Sequence, residues 1–113
     1  MGLFNFGKPK PKSLVTTLVS SKSEQAALSL LAQGKKPLKV IPDLSANGNL
    51  LLRVGTSSSR IIGKLPAKIT SQIEQNYAKK GSLSCALEIG TNYSIENDGA
   101  NYSCTTTLLI IPK

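Results

Sequence analysis

The chain contains no histidine and no tryptophan, only two cysteines, and six acidic residues against fourteen lysines and arginines. Each shortage removes a class of chemistry. Without imidazole, neither a Ser–His–Asp nor a Cys–His nucleophile can be assembled. Zinc sites that use histidine are excluded, and two cysteines cannot supply a four-cysteine site. The few carboxylates are scattered along the chain, which leaves little for paired acid–base work. No Gly-x-x-x-x-Gly-Lys-Ser/Thr loop is present to cradle nucleotide phosphates. Asp98-Gly99 reads as a turn, because too few acidic ligands surround it for a calcium loop. A non-catalytic protein, with no cofactor and no metal, is the expectation.

Long apolar runs are also missing, and no stretch approaches the roughly 20 residues of a membrane helix. The opening MGLFNFG lacks the basic and then apolar pattern of an export signal. A reducing, cytoplasmic setting is therefore expected. Cys85 and Cys104 would then be buried small hydrophobes rather than a bridge. The two Asn-x-Ser matches, at Asn92 and Asn101, carry no weight without export.

What the chain does have is length for one small domain, 113 residues, and 40% hydrophobic residues to build its core. Its formal charge is +8. A surplus of that size favours polyanionic partners. Three of the lysines (Lys8, Lys10 and Lys12) fall in residues 1–12, MGLFNFGKPKPK. Alternating prolines there forbid a helix or a central strand. Residues 1–12 thus read as a flexible basic arm, with residues 13–113 as the domain. Phe4 and Phe6 beside those lysines would give the arm a weak hold on a membrane surface.

The patterning predicts the order β-α-β-β-β-α-β-β. Leu14–Val19 suits a first strand. Ser21 and Glu24 form a capping box for a helix over 22–33, stopped by Gly34. Leu38–Leu44 and Asn49–Gly55 flank Asn47-Gly48, which favours a two-residue hairpin turn. Pro42 marks an edge or bulge. Arg60–Leu65 makes a further strand. Pro66 opens a second helix with a stripe of Ile69, Ile73 and Tyr77, Lys79 and Lys80 in its last turn, and Gly81 as its stop. Leu83, Cys85, Leu87 and Ile89 alternate as a half-buried strand. Residues 90–100 read as a polar turn region, and Tyr102–Ile111 as the last strand. The fold class is a β-rich α+β domain, a small β-barrel of about six strands with two helices.

The segment LSLLAQGKKPLKV, the hairpin ending in LLLRV and the segment RIIGKLPAKITSQI together resemble the HIRAN domain. The element Ile62-Gly63-Lys64-Leu65-Pro66 matches that family's IGxLP turn into a helix, and the similarity covers roughly residues 14–111. The resemblance implies a β-barrel with two helices that binds single-stranded DNA, especially a free 3′ end.

The residues can be weighed for that role directly. Single-strand binders combine cations with aromatic stacking platforms. Of the three tyrosines, Tyr77 falls on a buried stripe, Tyr93 in a polar loop and Tyr102 at a strand start. The cationic half is stronger. Arg53, Arg60, Lys64 and Lys68 would form one surface against phosphates if their strands pair. Asp43 and Asn49 would meet a terminal hydroxyl or a base edge. Lys35, Lys36 and Lys39 cluster after the first helix, where they neutralise its C-terminus. The expected function is a nucleic-acid-binding module for single-stranded DNA. The alternative is an adaptor that docks a protein partner or a membrane surface through the N-terminal arm. The sequence leaves the oligomeric state open.

Overall fold

A computed structural model describes residues 10–34, 36–58, 60–79 and 82–113. The elements run β1 (Lys12–Thr17), α1 (Lys22–Leu31), β2 (Leu38–Leu44), β3 (Leu50–Thr56), β4 (Ile61–Lys64), α2 (Ala67–Tyr77), β5 (Ala78–Lys79), β6 (Ser82–Leu83), β7 (Cys85–Glu88), β8 (Tyr93–Asn97) and β9 (Tyr102–Pro112). The main sheet is antiparallel, in the order β1-β9-β7-β2-β3-β4, with β8 also on β9. The fold is a β-rich α+β half-barrel with two helices, in agreement with the fold class read from the sequence.

Strand β9 organises the sheet. From Cys104 to Ile110 its residues alternate between deeply and partly buried positions, and Cys104, Thr106, Leu108 and Ile110 face the core. β1 lies along one side of it, from Lys12↔Ile110 to Thr17↔Thr105. β7 and β8 share the other side, opposite residues 109–112 and 102–106. The sheet curls until its ends meet at one bridge, where Val19 and Lys64 exchange two backbone hydrogen bonds of 2.9 Å. Two residues after Lys64, Pro66 has no N–H with which to extend the seam, and the chain turns into α2.

The core fills the hollow of the sheet. Leu28, Leu52, Val54, Ile62 and Leu108 are completely buried, and α2 adds Ile73. Ile69 and Tyr77 pack half-buried beside this core, so the stripe read on α2 is the one it presents inward.

Helix α1 starts as expected. Ser21 is its N-cap, and the Glu24 carboxylate accepts the Ser21 N–H at 2.7 Å. It ends earlier than residue 33, at Leu31. Gly34 does not take the left-handed conformation of a Gly stop. Instead the chain tightens, with the Gln33 N–H on the Leu30 carbonyl and the Gly34 N–H on Leu31.

Other boundaries also move. Lys12, grouped with the arm, already stands in β1, and residues 1–9 lie outside the described residues. The β2–β3 loop is longer than two residues. The Gly48 N–H bonds the Ser45 carbonyl, Gly48 has φ 80°, and Ser45 and Asn49 close the loop. This is the three-residue loop in which a left-handed glycine follows a tight turn. Pro66 stands at the N-cap of α2, ahead of its first turn, and α2 ends at Tyr77. Lys79 therefore belongs to β5, while Lys80 and Gly81 lie outside the described residues. Residues 90–100 are more than a turn. Tyr93 and Ile95 pack against the core from β8, and the turn is confined to Asp98–Asn101, where Gly99 has φ 101°.

Gly63 is where the seam is tightest. A Cβ there would lie 2.8 Å from Ser20 Oγ, 3.0 Å from the Val19 carbonyl oxygen and 3.3 Å from Leu18 Cβ. Ser20 is itself held, donating to the Ile62 carbonyl at 2.6 Å. Gly63→Ala should therefore destabilise the domain by about 1–3 kcal/mol through overpacking. A lower urea midpoint is the expected result, and an unchanged midpoint would mean the seam is loose.

Candidate functional site

Strand pairing decides which cations meet. Arg53 on β3 and Lys64 on β4 are direct cross-strand partners, and both side chains are exposed. Asp43, on β2, stands diagonally from Arg53 on the same face, since Ile41 is the direct partner of Arg53. Its Oδ2 lies 3.9 Å from an Arg53 guanidinium nitrogen, and both side chains are about half exposed (54% and 48%). At that exposure the pair contributes at most about 1 kcal/mol, so Arg53 can exchange its partner at little cost.

Arg53 and Lys64 border an open cleft of about 450 Å³, which Asp43 does not line. One wall is Leu51, Arg53, Ile61 and Lys64; the other is Val19, Ser20, Ser21 and Glu24 at the entry to α1. The cleft thus sets two cations beside an apolar strip of Val19, Leu51 and Ile61. Ser21 Oγ lies 3.1 Å from Ser23 Oγ and 3.4 Å from the Glu24 N–H. Among the described residues Glu24 is the one acid in the lining, and its Oε1 is engaged by the cap.

The other expected contacts do not converge here. Arg60 precedes β4, four residues from Lys64, about 13 Å along an extended strand. Lys68 lies beyond the Leu65–Pro66 turn, on the first turn of α2. Asn49 closes the β2–β3 loop, four residues from Arg53 along β3, with its N–H on Ser45 Oγ at 3.1 Å. None of the three lines the cleft. Sequence reasoning missed Ser20, Ser21 and Glu24, which oppose the cations across it. The capping box identified Ser21 and Glu24 as a helix start, but only the Val19–Lys64 seam brings that start to Arg53 and Lys64.

Aromatic platforms are not on offer among the described residues. Tyr77, Tyr93 and Tyr102 are all half-buried against the core. Tyr93 also accepts the Lys36 N–H through its hydroxyl at 2.9 Å, which ties β8 to the start of β2. Of the lysines after α1, Lys36 and Lys39 are exposed, and Lys35 lies outside the described residues.

No family model, curated protein or solved structure matches this chain. The resemblance to HIRAN domains therefore rests on the segments quoted above. Among the described residues no group of three or more acidic or cysteine side chains is placed to hold a metal, and no helix is long and apolar enough to cross a membrane.

The cysteines are free and buried, on β7 and β9. Burial pushes the Cys104 thiol from an ordinary 9.0 up to about 11. It also raises Cys85, against a smaller opposing pull from Lys113. Both thiols stay protonated at neutral pH and make poor nucleophiles. The Cys104 shift carries a sign for stability. The unfolded thiol ionises from about pH 9, while the folded one holds its proton to about 11. The contribution is complete below pH 9 and lost as pH rises through 11, to a limit of about 2–3 kcal/mol. Cys104→Ala should flatten urea-unfolding stability against pH across that window relative to the parent. An unchanged slope would show that the thiol is not the group responsible.

Proposed function

We propose that the protein is a non-catalytic module that binds single-stranded nucleic acid, DNA in the first instance, through its phosphate backbone. The observation that carries this reading is the cross-strand pair of Arg53 and Lys64 on an open cleft in a chain of charge +8. An Arg fork and a Lys point charge on neighbouring strands are spaced for successive phosphate contacts. The apolar strip beside them offers contact to a sugar or base edge, while the half-buried tyrosines leave little capacity for stacking. Affinity then comes mostly from charge, with weak sequence preference and strong salt dependence. Asp43 competes with phosphate for Arg53, and Glu24 repels strands that enter too deeply toward α1. Both carboxylates limit the affinity and favour a strand that runs across β3 and β4. The HIRAN resemblance supports the same ligand class.

Fluorescence anisotropy of a labelled oligothymidylate, titrated at several salt concentrations, tests this. Affinity should fall steeply with salt. Arg53→Ala with Lys64→Ala should weaken binding by about tenfold or more and reduce the log–log salt slope by about 1.4, two contacts at roughly 0.7 each. Both side chains are exposed, so the folded state should survive, with circular dichroism as the control. Unchanged binding in the double variant, or binding lost only when residues 1–12 are deleted, would overturn the reading.

A further inference from the structure

A second cleft lies where the main sheet splits. β2 and β7 pair at Lys39↔Glu88 and then diverge, leaving an open hollow of about 670 Å³ toward Leu44 and Cys85. The backbone on the β2 side of this split has a definite polarity. The Leu52 carbonyl accepts from the Leu65 N–H, and the Leu50 N–H donates to Glu74 Oε2, so both point away from β2. Their partners Pro42 and Leu44 consequently turn their own backbone groups into the cleft. Pro42 has no N–H to give, and the Leu44 N–H is taken by Asp43 Oδ1 at 2.9 Å. The edge offers acceptors. Opposite it, the Ser84 carbonyl bonds the Lys113 N–H on the β9 side, which turns the Cys85 backbone toward the cleft.

The side chains add a second selection. Leu44, Leu50 and Leu83 form an apolar wall, with Leu44 half exposed. Among the described residues, Asp43 and Glu74 line the cleft against one cation, Lys113. Two of the six acidic residues of a strongly basic chain thus share one hollow. A ligand of complementary chemistry brings backbone donors, an apolar side chain and a positive charge.

We propose that this cleft binds an extended peptide segment of a protein partner, one in which an aliphatic or aromatic residue adjoins a lysine or arginine. The segment lies along the β2 edge, its N–H groups on the Pro42 and Leu44 carbonyls, as a partial strand addition. Its apolar side chain covers Leu44, Leu50 and Leu83, and its cation is drawn into the cleft by the charges of Asp43 and Glu74, which also hold Arg53 at 3.9 Å and the Leu50 N–H at 3.1 Å. Among the described residues this site shares no lining residue with the Arg53–Lys64 cleft, touching it only through the Asp43–Arg53 pair, and takes a ligand of the opposite charge.

A fluorescein-labelled hexapeptide of alternating leucine and lysine, read by anisotropy on the full chain, tests the proposal. Saturable binding is expected, about tenfold or more tighter than for the same peptide with glutamate in place of lysine. Leu44→Lys should weaken it by about tenfold or more and Glu74→Gln by about threefold. Leu44 and Glu74 are outside the cationic cleft, so oligothymidylate binding and circular dichroism of both variants should match the parent. Equal affinity for the two peptides, no saturation up to about 1 mM, or a Leu44→Lys variant that binds like the parent would overturn it. Loss of oligothymidylate binding in Arg53→Ala with Lys64→Ala, with peptide binding kept, would separate the two sites.

Discussion

The register of β9 is the constraint on which the rest of this fold depends. Three strands are aligned against it, β1 on one side and β7 and β8 on the other. Its inward residues Cys104, Thr106, Leu108 and Ile110 are almost fully buried. A slip of one residue would turn that set outward, so the buried face holds the register of all three partners at once. The alignment of β1 then carries Val19 to Lys64 and closes the curl. The cationic cleft is a product of that closure, because one of its walls follows β1 and the other belongs to β3 and β4.

The two clefts share a mode of construction. Each lies where a regular ladder stops. The seam ends at Val19–Lys64, since Pro66 sends the chain into α2. The β2–β7 pairing ends after Lys39–Glu88, where the chain of β2 runs on to Pro42. At the second, Pro42 withdraws a donor, and backbone that would have continued the sheet borders the hollow instead. Asp43 stands between the hollows, its Oδ1 on the Leu44 N–H beside one and its Oδ2 near Arg53 beside the other.

Much of the scaffold was legible in the residues. The Ser21–Glu24 spacing gave α1 its start because a capping box is a local device that needs no tertiary help. Asn47-Gly48 placed the β2–β3 hairpin, although its loop length depends on how Ser45 and Asn49 pair. Strand β8 was missed, because the polar residues around it make 90–100 read as a turn, although Tyr93 and Ile95 alternate with Ser94 and Glu96. The end of α2 was misread because Lys79 and Lys80 suit a helix terminus, whereas Ala78 and Lys79 pair with β6. The site was half legible. Arg53 and Lys64 were singled out as cations on consecutive strands. Which of the four candidates align depends on the irregularity between Val54 and Gly55, a feature of packing with no residue signature of its own.

The placement of the first and last strands has a mechanical consequence. Lys12 pairs with Ile110, so β1 begins at the end of the β1–β9 ladder where β9 finishes, its last residues still held by β7. Tension drawn between those ends loads the outermost rung first and peels the hydrogen bonds singly, rather than shearing them together. This domain is built to yield at low force, opening from the rim of the half-barrel toward the seam at Lys64.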